Sequence, residues 1–96
     1  MTYEALVVLL RKRPDLKAVV ECVNEDGSYW KEVVECILAK GVVKTIGAAG
    51  FCISQLAKYG VLLEYRVKKY TILVPSKEFL KVWRKIASQE PREKKP

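Results

Sequence analysis

Not one histidine occurs among the 96 residues. The side chain most often used as a general acid or base near neutral pH is therefore missing. Three cysteines, Cys22, Cys36 and Cys52, stand without a CxxC pair, so a four-ligand structural zinc site cannot be assembled from Cys and His. No Gly-rich phosphate loop and no GxSxG string occurs. The carboxylates are scattered without an obvious catalytic pair. These absences weigh against an enzyme, and the sequence implies no metal and no cofactor. No apolar run approaches the roughly 20 residues of a membrane span. In "MTYEALVVLLRKRPD" the charges follow the apolar run and no small-residue cleavage site appears, so the segment does not read as a secretory leader. The sequence reads as that of an intracellular, cytoplasmic protein. Asn occurs once and Gln twice. That scarcity, beside many charged residues, leans toward a hot source. The three thiols read as buried core residues, with a Cys22–Cys36 bridge left open for a thermophile.

Half of the residues are hydrophobic, ample for one core in a chain of this length. The formal charge of +7 is unevenly placed. Residues 1–35 carry five Lys/Arg against seven Asp/Glu, and residues 36–96 carry 13 against four, so the segments differ as −2 and +9. A basic segment of this kind suits an anionic partner such as nucleic acid, or it is a solvated surface.

Hydrophobic spacing predicts the elements. "TYEALVVLLRK", residues 2–12, is apolar nearly all round, as a buried helix or a strand would be, and its good helix formers favour the helix. Pro14 fits the first turn of a helix over 14–23, in which Leu16, Val19, Val20 and Val23 share one face. "NEDG" is a turn. Ser28 is read as the N-cap of a helix over 28–40 with Trp30, Val33, Val34, Ile37 and Leu38 as its apolar stripe, ended by Lys40 and Gly41. A third helix, about 46–59, buries Ala49, Cys52, Ile53 and Leu56. Steps of 100° put Gly47, Phe51, Ser54, Gln55 and Lys58 on its outward face, and Gly60 stops it. Residues 61–66 and 69–74 read as paired strands. The tip "RVKK" lacks glycine, which predicts a short or irregular hairpin. Pro75 ends the second strand and Ser76 caps a last helix with Phe79, Leu80, Val82, Trp83 and Ile86. The tail "SQEPREKKP" reads as disordered. One α+β, mostly helical domain over 1–90 is expected, with a core over 14–75 and a charged tail over 91–96.

Three helices followed by a hairpin, and above all "ISQLAKYGVLLEYRVKKYTILV" at 53–74, resemble the winged helix-turn-helix family over residues 14–75. Leu56, Gly60, Val61 and Leu62 stand where that family runs from its recognition helix into the wing. The resemblance implies a DNA-binding protein, expected to be a transcriptional regulator, with extra terminal helices. Helix 46–59 would enter the major groove of double-stranded DNA, with Ser54 and Gln55 facing base edges and Lys58 on the same face. Gly47 and Ala48 would let the backbone approach phosphate, and Lys44 would pair with it. The hairpin 61–74 would be the wing, with Arg66, Lys68 and Lys69 on the adjacent backbone. Apolar segments 2–12 and 76–88 are expected to build a homodimer. The other reading is a winged helix used as a protein-interaction module in a replication, transcription or RNA-processing assembly.

Overall fold

A computed structural model describes residues 1–89, with side chains through Ile86. The expected disordered tail over 91–96 lies outside the described residues. Five helices and three strands follow in order: α1 (Tyr3–Lys12), α2 (Pro14–Cys22), β1 (Ser28–Tyr29), α3 (Trp30–Lys40), α4 (Ile46–Lys58), β2 (Leu62–Val67), β3 (Tyr70–Pro75), a 3-10 turn (Lys77–Phe79) and α5 (Leu80–Gln89). The class is α+β, with one antiparallel sheet in the order β1-β3-β2.

The helix ends follow from local chemistry. Thr2 caps α1 by accepting a hydrogen bond from the Ala5 N–H at 3.1 Å, and Thr45 caps α4 by accepting from the Ala48 N–H at 3.0 Å. Pro14 opens α2, where its missing N–H has no partner to lose. The end of α4 sets up the hairpin. Gly60 has φ 79°, a conformation that costs a residue with Cβ about 1–2 kcal/mol. Its N–H donates to Ala57 O at 3.0 Å, and the Val61 N–H donates to Leu56 O at 2.9 Å. Those two bonds are the reciprocal pair of a Schellman cap. Leu56 and Val61 are both fully buried, so the cap also makes an apolar contact that turns the chain from helix into strand.

Ser28 does not cap α3. It lies in β1, its Oγ accepting from the Asn24 N–H at 2.9 Å, and Tyr29 takes the cap position without a side-chain bond. The reason is pairing: Ser28 sits opposite Leu73 and Tyr29 opposite Ile72, so β3 holds both residues extended. The hairpin is also one residue out of the expected frame. Val67 pairs with Tyr70 and Leu62 with Pro75, leaving a two-residue loop of Lys68 and Lys69 and keeping Pro75 inside β3. Ser76 precedes the 3-10 turn and makes no side-chain cap bond.

The core is larger than residues 14–75. Leu6 and Leu10 from α1, Phe79 from the 3-10 turn, and Val82 and Trp83 from α5 belong to the same buried cluster as Leu16, Val33, Ile37, Ile53, Leu56 and Leu73. The Trp83 Nε1–H donates to the Val23 carbonyl at 2.8 Å, which fastens α5 to the end of α2. The apolar residues expected to form a dimer are thus used largely within the chain. Cys22 and Cys36 are half-buried and joined in a disulfide, contrary to the reading of three core thiols. Residues on α2 and α3 come within 5.8 Å, Cα to Cα, because the two helices pack side by side. Cys52 alone is a free, buried thiol. No helix among the described residues is long and apolar enough to cross a membrane.

Candidate nucleic-acid interface

The buried stripe of α4 is Ala49, Cys52, Ile53 and Leu56, and it packs on α2, α3 and β2. That anchoring turns the opposite side of the helix to solvent. Ser54 and Lys58 are exposed there with Ile46, Gly47 and Phe51. Gln55 is half-buried, on the flank of the helix and not its crest, because it neighbours the buried Leu56 and Cys52 rows. Lys44 is exposed in the link just before the Thr45 cap. Gly50 meets Trp30: a Cβ there would stand 3.4 Å from the indole ring of α3. That is an ordinary van der Waals distance, so the packing of the two helices there does not demand glycine.

The hairpin leaves the core quickly. In β2 only Leu62 is buried and the next five residues are exposed. Strand alternation then gives the two faces different chemistry. Leu62, Glu64 and Arg66 share one face, with Leu73 and Thr71 opposite, and Arg66 projects from it beyond the edge of the core. Leu63, Tyr65 and Val67 share the other face with Val74, Ile72 and Tyr70. Tyr29 of β1 joins them beside Ile72, and its ring centroid lies 5.6 Å from that of Tyr70 in a tilted pair. Tyr29, Tyr65 and Tyr70 remain about half exposed, so the outer face of the sheet is an aromatic surface.

Lys68 is the sole non-glycine residue with positive φ among the described residues, at 58°. A two-residue hairpin loop asks for positive φ at its first central residue, where glycine or asparagine is usual. A lysine there carries a backbone cost of about 1 kcal/mol. Lys69 follows it at the outermost point of the chain's hairpin, and both are exposed. Among the described residues, no carboxylate lies within ion-pair distance of Lys44, Lys58, Arg66, Lys68 or Lys69. Their charge is available to a partner.

The seven expected residues fall into three places. Lys44 stands at the start of α4. Ser54, Gln55 and Lys58 occupy its second half, with Ser54 about 12 Å along the axis from the helix start. Arg66, Lys68 and Lys69 lie at the far end of β2, a six-residue strand of roughly 20 Å. The fold thus carries the tip away from α4 and does not gather the set into a pocket.

One partly buried polar cluster was not visible in the sequence. Asp15 receives both Nε and a terminal nitrogen of Arg13 at 3.0 Å each, and the Leu16 N–H at 2.9 Å. The hydrogen bonds from Arg13 hold its carboxyl below the usual carboxylate range. The Cys52 thiol points at Asp15 Oδ2, 3.5 Å away. Burial, followed by the charge of Asp15, pushes that thiol up to about 11. It stays protonated at neutral pH and is a poor nucleophile, so the cluster ties α2 to α4 and does not constitute a reactive site. Among the described residues no group of three His, Cys, Asp or Glu is placed to hold a metal ion. Compared with known proteins, the chain matches no family model, no curated protein and no solved structure.

Proposed function

We propose that the chain binds double-stranded DNA as a winged helix-turn-helix protein, with α4 against the major groove and the β2–β3 hairpin as the wing. The observation that carries this reading is the tip. Two consecutive lysines occupy a two-residue loop, one of them at a backbone angle better suited to glycine. Retained strain of this kind points toward use. Protection of the open β2 edge is a weaker account of the same charges. Lys68 and Lys69 lie beyond the last strand pair, where they cannot obstruct pairing along the edge. The succession α2, α3, α4 and hairpin supports the same reading, as do the capped start of α4 near Lys44 and the exposed Ser54.

A protein-interaction module is the second reading, and one observation favours it. The outward side of α4 carries Ile46 at 61% exposure and Phe51 at 56%, with Lys58 as its only cation. Large exposed apolar side chains on an otherwise neutral helix suit a protein groove as well as thymine methyl groups.

The two readings separate in a titration of random-sequence duplex. DNA binding gives a dissociation constant in the range of about 1–100 μM near physiological salt, tightening steeply as salt falls, with a log–log slope of about −0.9 per neutralised phosphate. Absence of binding at low salt, by protein shown to be folded by circular dichroism, would favour the interaction module.

A further inference from the structure

A groove of about 330 Å³ opens between α1, α2 and α5, far from the hairpin in the element order. Its walls are Val7 from α1, Pro14 from α2, and Val82 and Ile86 from α5, and its polar lining consists of Arg11, Lys17 and Lys85. Among the described residues no carboxylate lines it. We propose that this groove binds a small organic anion with an apolar body, an aliphatic or aryl carboxylate.

Each half of that ligand answers an observation. The volume falls within the range of about 300–1,000 Å³ common for small-molecule sites, and apolar walls gain from covering a hydrocarbon body but not from covering a bare inorganic ion. The cations argue against a neutral hydrocarbon, since their desolvation by such a guest is uncompensated. Arg11 has no carboxylate within ion-pair distance among the described residues, and its planar fork matches a carboxylate in two parallel hydrogen bonds. Lys17 is only weakly engaged. Its Nζ is 3.9 Å from Glu21, and the same Glu21 takes Lys40 at 3.2 Å. One negative charge shared between two lysines leaves a net positive charge at the groove. Lys85 stands 6.0 Å from the Tyr3 ring centroid, and the inference does not depend on it.

The inference is independent of DNA binding, and its test uses no DNA. Octanoate, 1-octanol and inorganic phosphate are titrated separately into the full chain by isothermal calorimetry, and octanoate is repeated with Arg11→Met and Lys17→Met. Both residues reach solvent, and circular dichroism checks that each variant folds. Octanoate is expected to bind saturably at one site, and octanol to bind at least about tenfold more weakly. Phosphate should show no comparable binding. Each substitution should weaken octanoate by at least about tenfold while leaving octanol unchanged. Any of three results overturns the proposal: no saturable octanoate binding, octanol binding as well as octanoate, or phosphate binding as well as octanoate. Unchanged octanoate affinity in both folded variants overturns it too, because the carboxylate would then be held elsewhere.

Discussion

Reduction of the Cys22–Cys36 bond is expected to destabilise the protein by about 3 kcal/mol, the loop-closure value for a ring of about 15 residues. The bond joins α2 to α3 across a sequence separation of 14 and encloses the turn and β1. Opening it frees the unfolded chain while leaving most native contacts in place. For a domain of this size that loss corresponds to roughly a 12–24 °C fall in melting temperature. Thermal melts with and without a phosphine reductant give the value, and Cys22→Ser/Cys36→Ser should melt at the reduced temperature whatever the redox conditions. Cys52 is not the source of the change, because it is a free thiol with no bond for the reductant to open. A melting temperature that moves by less than a couple of degrees would mean that the bond does not constrain the chain in solution.

The second large effect concerns the hairpin proposed as a wing. Replacing Arg66, Lys68 and Lys69 together by alanine is expected to flatten the log–log salt dependence of duplex binding by about 2.7, at about 0.9 per lost phosphate contact. The loss should be alike for every sequence tested, because charge neutralisation carries no sequence information. All three side chains are exposed and none has an ion-pair partner among the described residues, so removing them leaves the core untouched. Equilibrium binding to two unrelated duplexes at four salt concentrations measures both slope and uniformity. An unchanged slope would assign the three cations to solubility.

What the sequence shows about this fold depends on how local the determining physics is. The stripe of α4 was legible because Ala49, Cys52, Ile53 and Leu56 repeat at helical spacing, and all four are buried. Gly41 and Gly60 marked helix ends because each takes a positive φ. Strand β1 was not legible: two residues carry no alternation, and Ser28 with Tyr29 are extended only because β3 lies beside them. The disulfide was legible only as an option, since its geometry comes from the packing of α2 on α3. The share of the terminal helices in the core was not legible for a similar reason. A helix apolar nearly all round reads as surplus surface until Leu6, Leu10 and Trp83 are seen inside a common core. At the candidate site, the hairpin cations were plain from the sequence. The left-handed conformation of Lys68 was not, because residue preferences assign that angle to glycine. The aromatic face of Tyr29, Tyr65 and Tyr70 and the groove of Arg11 and Lys17 assemble from separate elements, so no local window of sequence contains them.

The most direct test of the wing as a DNA contact is the duplex affinity of Lys68→Gly. Glycine suits φ 58° better than lysine, so the variant should fold at least as stably as the parent, and any loss of binding cannot be blamed on unfolding. The account predicts weaker binding to random-sequence duplex and a salt slope shallower by about 0.9. Affinity and slope equal to those of the parent chain would contradict it.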